Sequence, residues 1–329
     1  MAGTQYFIFG GSGFIGQHLI QHLLKQKDCE IFCLDIKAPD ELPSKITYIE
    51  TDVRNKIELS GILINENAKI INLAAVHKTP GHPSRDYFDT NIRGAENITE
   101  FATRNNLKSI VFTSSIAPYG ASETLKSETT IPQPNTPYGI SKLVAEYIHK
   151  CWQKTGNHNL HIVRPGVVFG HSENGNFTRL YKAMASRRFA YPGRRDTVKA
   201  CIYVKDVVSI IGLMTQQESI AVCETYNLTY EKRYTIEEIC QSIARVTGAK
   251  VPTLVIPSIL LLLASIGINA FLSLFGLNGH GIHPDRVRKL MISTNIEGKH
   301  LGKSKYKLQY SLDEAIQDWH YDCNRMGLF

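Results

Sequence analysis

The stretch that decides the fold lies near the start of the chain and reads Gln5-Tyr-Phe-Ile-Phe-Gly10-Gly-Ser-Gly13-Phe-Ile-Gly16. Its first five residues form a β-rich apolar run, and apolar residues recur at helical spacing after Gly13. Gly10 permits a tight turn, Gly13 lets the backbone approach a pyrophosphate, and Gly16 allows the helix to pack closely on a sheet. The helix N-terminus adds N–H donors and the positive end of a dipole. The stretch therefore predicts a strand–turn–helix unit that binds a dinucleotide.

Acidic residues follow the next two apolar runs and refine this prediction. Asp35 ends the second run, nineteen residues after Gly16. A carboxylate at this place accepts hydrogen bonds from the adenosine ribose and repels a 2′-phosphate, so NAD is favoured over NADP. Lys37 lies close by and weakens that preference. Asp52, which precedes Val53 after the third run, is placed to receive the adenine amino group.

Short apolar runs alternate with helical patterns through the first half of the chain. This alternation predicts βαβ crossovers and an α/β fold with a doubly wound parallel sheet. We expect a Rossmann domain over 1–170, its sheet completed by segments around 200–230, and a smaller substrate-binding lid over 171–329. The predicted strands are Gln5–Phe9, Glu30–Asp35, Ile46–Glu50, Lys69–Ala74, Ser109–Thr113 and His158–Arg164. The predicted helices are Phe14–Lys25, Lys56–Asn65, Asp86–Asn105, Pro137–Lys154, Asn176–Arg188, Val204–Gln216 and Thr235–Thr247.

Composition narrows the function classes. The 329 residues carry a net charge of +7, but Lys and Arg are scattered, so we do not expect nucleic-acid binding. The seven cysteines show no C-x-x-C pair and no zinc-like spacing, which predicts reduced thiols, a cytoplasmic location and no metal site. The first ten residues lack the pattern of a signal peptide and enter a strand directly.

An uncharged apolar run extends from Leu254 to Leu277. Its length reaches the roughly 20 residues of a membrane span, but Pro257, Gly267 and Asn269 interrupt it. Three interpretations stay open: a buried or interface helix of the lid, a helix that lies in the membrane surface, and a true span.

Two further motifs carry chemistry. Tyr138 and Lys142 are four residues apart at the start of a predicted helix, so both side chains lie on one helical face. The ammonium of Lys142 there lowers the pKa of the Tyr138 phenol and holds a ribose. Ser115 follows the fifth strand at the carboxyl edge of the sheet, where α/β proteins bind ligands. Its hydroxyl can hydrogen-bond the oxygen at which a hydride is transferred.

Together these motifs resemble the extended short-chain dehydrogenases, the NAD-dependent epimerase/dehydratase family. The order and spacing of Ala74-Ala75, Asn91 and Arg164-Pro165 agree as well. The resemblance implies a catalytic triad of Ser115, Tyr138 and Lys142 and NAD as the cofactor. The predicted cofactor contacts are Gly10, Gly13, Phe14, Ile15, Gly16, Asp35, Asp52, Val53, Ala74, Tyr138, Lys142 and Pro165.

Departures from the family pattern indicate a subgroup. Sugar dehydratases carry an acidic pair just after the catalytic hydroxyl residue, where this chain has Ile116 and Ala117. The chain resembles the polyprenyl-diphosphate-linked N-acetylglucosamine 4-epimerases of O-antigen (lipopolysaccharide) assembly at its residues 164–170. The same resemblance implies that Asn176, Lys199 and Arg286 bind the substrate, with Lys199 as a point charge for the diphosphate.

We therefore expect a C4 epimerase of a UDP- or undecaprenyl-diphosphate-linked N-acetylhexosamine. A 4-ketoreductase of a nucleotide-linked 6-deoxy-4-keto sugar that uses NAD(P)H is the alternative. A 3β-hydroxysteroid-type dehydrogenase and a non-catalytic NAD-binding regulator are less favoured. The expected partners are the sugar-diphosphate substrate, the cytoplasmic face of the inner membrane as a peripheral contact, and a second copy in a homodimer.

Overall fold

The computed structural model describes residues 3–26, 28–39, 43–78, 81–217, 221–261, 263, 264, 266 and 291–326. The strands are β1 (Thr4–Phe9), β2 (Cys29–Asp35), β3 (Ile46–Glu50), β4 (Lys69–Asn72), β5 (Ser109–Thr113), β6 (Ser122–Lys126), β7 (Asn159–Pro165), β8 (Val167–Phe169), β9 (Tyr191–Pro192), β10 (Cys201–Tyr203), β11 (Cys223–Leu228), β12 (Val255–Ile256) and β13 (Thr294–Ile296). The helices are α1 (Phe14–Leu23), α2 (Ser84–Arg104), α3 (Pro137–Lys154), α4 (Asn176–Ala185), α5 (Val204–Thr215), α6 (Ile236–Thr247), α7 (Lys299–Lys303) and α8 (Leu312–Met326), with a 3-10 turn at Ala117–Tyr119.

The central sheet has seven parallel strands in the order β11-β7-β5-β4-β1-β2-β3. Strand order reverses next to β1, so the chain winds first one way and then the other. The inner strands β1 and β5 are almost continuously buried because helices cover both faces of the sheet, which is the usual state of a parallel sheet. The predicted doubly wound α/β class is confirmed.

Two apolar layers hold the helices on the sheet. Helices α1 and α5 share one layer, in which Leu19 and Val207 are fully buried. Helices α2 and α3 share the other, around Phe101 and Trp152. Within each pair the two helices contact each other, and the carboxyl edge of the sheet between the pairs carries the loops described below.

The outer strand β11 comes from beyond residue 170 and pairs with β7. Strand β10 does not join this sheet and pairs with β8 instead. The shorter strands β9 and β12, and β6 and β13, form two further pairs. The division of the chain into two domains at residue 170 stays a prediction.

The predicted helix Lys56–Asn65 is wrong. Residues 56–65 form an irregular loop with a turn at Ser60 and Gly61, where Gly61 has a positive φ of 77°. Side chains from elsewhere satisfy this backbone: Gln5 donates to the Leu63 carbonyl at 3.0 Å and accepts from the Asn65 N–H at 2.8 Å. Because those partners replace the i→i−4 bonds, the apolar spacing does not become a helix.

Only the first part of the apolar run from Leu254 lies within the described residues. It contains β12 and, after Pro257, a helical turn in which Leu260 donates its N–H to the Pro257 carbonyl at 3.1 Å. Gly267 and Asn269 lie outside the described residues. Within the described ranges, no helix is long and apolar enough to cross a membrane.

Candidate active site

The glycine loop lies where β1 ends and α1 begins. Gly10 has a φ of 78°, and a Cβ there would approach the Ala74 nitrogen to 2.7 Å, so only glycine fits this turn. Gly13 is the N-cap of α1, Phe14 and Ile15 start the helix, and no side chain caps its first N–H groups. Those donors and the positive helix end suit an anion such as a pyrophosphate. The glycine loop after β1 and Ala74 after β4 thus lie side by side, and together they form a cradle for such an anion.

Asp35 closes this cradle from the end of β2. Its carboxylate accepts from the Ser12 N–H at 3.0 Å and from the Ile36 N–H at 2.8 Å. Burial raises the pKa of Asp35, and these backbone hydrogen bonds oppose that rise. The side chain is therefore fixed beside the glycine loop, where a ribose hydroxyl has an acceptor within reach.

Asp52 and Val53 lie at the next position along the sheet edge. Asp52 forms a two-pronged ion pair with Arg54, whose Nη2 lies 2.6 Å from Oδ2. This pairing lowers the pKa of Asp52. Val53 is buried against α2, and its carbonyl accepts from Asn97 at 2.7 Å. The sequence did not suggest that Arg54 would hold Asp52.

Ser115 and Tyr138 meet at the carboxyl edge of β5. Ser115 Oγ accepts from the Ala117 N–H at 3.1 Å, and its side chain hydrogen-bonds the Tyr138 phenol. Both side chains are partly exposed. Protein surrounds the phenol closely, so burial raises the pKa of Tyr138 more than the Ser115 bond lowers it. The sequence had predicted a pKa lowered by Lys142; in the structure the net direction is upward.

Lys142 lies one turn further along α3, and its side chain is buried. The ammonium donates to the Thr113 carbonyl at 2.7 Å and lies 4.6 Å from the centre of the Phe112 ring. Burial lowers the pKa of Lys142 to about 7, and the negative charge of Glu146 opposes this shift. A lysine with a pKa near 7 changes charge within the physiological range, which is a common property of groups in active sites.

The start of α3 is held in place by short local contacts. Thr136 caps the helix by accepting from the Gly139 N–H at 3.1 Å. A Cβ at Gly139 would lie 2.7 Å from the Ala117 carbonyl oxygen, so the helix and the Ser115 loop touch through their backbones. Asn91 of α2 donates to Ser141 at 2.8 Å, and Ser141 donates to the Tyr138 carbonyl at 2.9 Å.

A buried polar network lies beneath these residues, and the sequence analysis missed most of it. Glu146 accepts from Ser114 at 2.5 Å and from Arg164 at 2.8 and 2.5 Å. Arg164 also donates to the Tyr119 hydroxyl at 2.6 Å, and that hydroxyl donates to Asn227 at 3.0 Å. One signal was available: Glu146 follows Lys142 by four residues, which places it on the buried face of α3.

Pro165 and the segment that contains Lys199 lie near the same carboxyl edge of the sheet. The Pro165 carbonyl accepts from the Ile116 N–H at 3.2 Å, which ties the end of β7 to the Ser115 loop. The Ala200 carbonyl accepts from Val167 at 2.9 Å, so Lys199 comes close to the same edge. Its ammonium donates to the Ile292 carbonyl at 2.8 Å, and burial lowers its pKa to about 8.

Asn176 and Arg286 are the remaining predicted substrate residues. Asn176 is exposed at the start of α4, where its side chain accepts from Arg179 at 2.8 Å. Arg286 lies outside the described residues. Ile116 is buried and Ala117 begins the 3-10 turn, so no acid or base directly follows Ser115. In the described part of the chain, no three His, Cys, Asp or Glu side chains are grouped to hold a metal.

Comparison with known proteins agrees with this arrangement. The sequence profile of the NAD dependent epimerase/dehydratase family matches residues 6–229. The chain belongs to this family. It is thus an NAD-dependent enzyme. The predicted cofactor is confirmed by the family, while the roles of individual residues stay predictions.

One relative aligns with nearly the whole epimerase/dehydratase chain. The N-acetyl-alpha-D-glucosaminyl-diphospho-ditrans,octacis-undecaprenol 4-epimerase of Escherichia coli O157:H7 is 27% identical over 311 residues, which are 94% of this chain and 92% of that protein. The resemblance to the subgroup that the sequence suggested is thereby confirmed, at a low identity.

Two solved structures share the fold. The UDP-glucuronic acid 4-epimerase of Bacillus cereus, in complex with NAD, aligns with a TM-score of 0.76 over 98% of this chain and 99% of its own, at 20% identity. The UDP-N-acetylglucosamine 4-epimerase of the same species aligns with a TM-score of 0.73 over 98% and 99%, also at 20% identity. The fold of these two structures is therefore shared along nearly the whole chain.

Proposed function

We propose that this protein is a C4 epimerase of an N-acetylhexosamine carried by a diphosphate, acting in the synthesis of a bacterial surface polysaccharide. The observation that carries the proposal is the hydrogen-bonded pair of Ser115 and Tyr138 with Lys142 one turn along α3. The absence of an acid–base pair at Ile116 and Ala117 argues against dehydration. The E. coli relative, named as a 4-epimerase, supports the same reaction.

Tyr138 is the proton acceptor in this proposal. Its phenolate takes the proton of the C4 hydroxyl, and Ser115 hydrogen-bonds the C4 oxygen and orients it. The glycine loop and Asp35 would hold NAD, which would supply reversible hydride chemistry at C4, so that a hydride taken from one face of the sugar would be returned to the other. Tyr138 then gives its proton back to the C4 oxygen. No net oxidation results, so the enzyme needs no second redox substrate.

Lys142 supplies the charge that this chemistry needs. Burial raises the pKa of the Tyr138 phenol, so a phenolate near pH 7 requires a positive charge close to it. The ammonium of Lys142 can provide that charge and also hold the nicotinamide ribose. Since its own pKa is about 7, the charged form is lost as the pH rises above neutrality.

Lys199 is the proposed contact of the sugar diphosphate. With a pKa of about 8 the ammonium is mostly charged at pH 7, and it lies on the segment that touches the Ser115 edge through Ala200. Asn176 and Arg286 are proposed as further substrate contacts.

A lipid carrier is favoured by the surface around β12 and the helical turn that follows it. Several aliphatic side chains in this short stretch are each more than half exposed. We call them the aliphatic face, formed by Leu254, Ile259, Leu260, Leu263 and Ile266. Aliphatic side chains that insert into the interface of a membrane would bring the site to a membrane-embedded polyprenyl diphosphate. The proposed location is the cytoplasmic surface of the membrane.

One experiment tests the reaction and the carrier together. Purified enzyme without added cofactor is incubated with UDP-N-acetylglucosamine and, separately, with undecaprenyl-diphospho-N-acetylglucosamine in detergent. We expect conversion to the galacto epimer, faster with the lipid-linked sugar, and none in the Tyr138→Phe variant. Consumption of NADH or NADPH in proportion to product, with a 4-keto sugar as substrate and no epimerisation, would establish the 4-ketoreductase instead.

A further inference from the structure

The carboxylate of Glu146 is the centre of the buried network below the proposed catalytic residues. Glu146 is 0% exposed and Arg164 is 3% exposed, and both oxygens of Glu146 are bonded to the guanidinium. Ser114 donates a third hydrogen bond to the same carboxylate. An ion pair removed from water to this extent gains little net stability, and apolar side chains of similar volume often replace such pairs without loss. Its position in the fold therefore points to a role in the site.

Ser114, Glu146 and Arg164 each lie close in the chain to a residue of the site. Ser114 precedes Ser115, and Glu146 lies one turn after Lys142 on α3. Arg164 precedes Pro165 at the end of β7 and lies with its guanidinium carbon 4.8 Å from the centre of the Tyr119 ring. The network thus links the end of β5, the catalytic helix and the end of β7 at one point.

We propose that Glu146 is a positioning residue, which holds Ser115 and Lys142 in their working placement through Ser114, Arg164 and the frame of α3. This inference rests on the proposed function, because the placement matters only if Ser115 and Lys142 serve the reaction at C4. The charge of Glu146 has a second effect, since it favours the protonated form of Lys142 against the cost of burial.

The Glu146→Gln variant tests the proposal with two readouts. Measurement of the Lys142 ammonium resonance in ¹⁵N-lysine-labelled full-length protein, assigned with Lys142→Arg, gives its pKa without any substrate. We expect that pKa to fall by about one unit, because a nearby opposite charge is lost. In the epimerase assay we expect kcat to fall about 10–100-fold through lost alignment, with KM within about twofold. The alkaline limb of the pH profile should move to lower pH by the same amount as the NMR titration.

Two further variants distinguish the proposed positioning role of Glu146 from a general effect on the fold. Glu146→Asp keeps the charge, so its alkaline limb should stay near that of the wild type. Glu100→Gln removes a carboxylate that also pairs with an arginine, Arg104, at 3.6 Å but on the exposed surface of α2. It should change neither the titration of Lys142 nor kcat. If Glu146→Gln does not fold, the double variant E146Q/R164M removes both buried charges and takes its place.

The outcomes are distinct. A titration and a pH profile that superimpose on those of the wild type, with only a lower Tm or a lower amplitude, overturn the proposal, as does a double variant that fails to fold. A wild-type enzyme that does not epimerise any sugar refutes the proposed function instead, and the titration of Lys142 still decides whether Glu146 acts on it.

Discussion

The polar groups below Lys142 and those around Lys199 are arranged in opposite ways. Below Lys142, the side chains of Ser114, Glu146 and Arg164 are buried and bonded to one another. Around Lys199, polar contacts lie nearer to solvent: Arg194 and Glu123 form an ion pair in which both side chains are 40% exposed or more. The first region is complete without a ligand, whereas the second presents its charges to whatever binds there.

This difference indicates separate roles for the two regions. The alignment of Ser115, Tyr138 and Lys142 depends on the protein interior, where a lost partner leaves a buried polar group unsatisfied. In the proposed function, recognition of the carrier depends on Lys199 and on the aliphatic face, where substitutions should change binding more than structure. Substitutions below Lys142 should therefore mainly reduce catalysis, whereas substitutions around Lys199 or on the aliphatic face should mainly reduce affinity.

The largest effect is expected for Tyr138→Phe. The loss of the proton-transfer hydroxyl should lower kcat by about 10²–10⁴-fold while NAD binding and the fold are kept. Tyr147→Phe, on the exposed side of the same helix, is the matched control and should behave as the wild type. Activity of Tyr138→Phe within tenfold of the wild type would rule out Tyr138 as the base.

Substitution of Lys199 should weaken substrate binding. Loss of a hydrogen bond to a charged group costs about 1.5–3 kcal/mol, so Lys199→Ala should raise KM about 10–100-fold with a smaller change in kcat. In the wild type, the ammonium loses its proton above a pKa of about 8, so KM should rise with pH from that point. Lys199→Arg should remove the pH dependence, because arginine stays charged.

Measured KM values for the three enzymes between pH 6.5 and 9.5 check this prediction. Lys232→Ala, which removes an exposed surface lysine paired with Glu238, is the control and should leave KM unchanged. A wild-type KM that is flat through pH 9 would contradict the assignment of Lys199 to the diphosphate.

Cofactor selectivity is a smaller expected effect on the buried side. The carboxylate of Asp35 beside the glycine loop should make NAD bind at least about tenfold more tightly than NADP, a difference of about 1.4 kcal/mol. Asp35→Asn keeps an acceptor but removes the charge, so it should narrow the ratio mainly by improving NADP. Titration calorimetry with both cofactors gives the ratio, and equal affinities in the wild type would support the reductase.

The smallest effect on catalysis is expected at the aliphatic face. The wild type should float with anionic liposomes, and the L260D/L263D double variant should float much less, because charged side chains disfavour insertion. Its kcat on UDP-N-acetylglucosamine should stay unchanged. Leu63→Asp changes a leucine that is 84% exposed elsewhere on the molecule and serves as the control.

If the wild type stays in the bottom fraction at physiological salt, the membrane has no part in its function. A nucleotide-linked sugar is then the substrate. If L260D/L263D loses NAD binding or unfolds, the aliphatic face belongs to the packing of the lid.

The sequence by itself determined the fold class and the cofactor, and it predicted the residues that face NAD. These features rest on local rules: a glycine loop between a strand and a helix, an acid at the end of the second strand, and Tyr138 and Lys142 at a helical spacing of four. The residue types alone carry such information, since the partners are close in the chain or bind the same ligand.

Only the tertiary structure decided what surrounds those residues. Glu146 meets Ser114 across 32 positions and Arg164 across 18, and no local pattern records which distant side chains will face one another. The apolar residues of 56–65 have helical spacing, but the segment forms an irregular loop. Gln5, some sixty positions away, makes hydrogen bonds with its backbone. The pKa of Tyr138 is raised, not lowered, for the same reason. Burial is a property of the folded protein, and its effect on this pKa outweighs the effect of the neighbouring residues that the sequence identified.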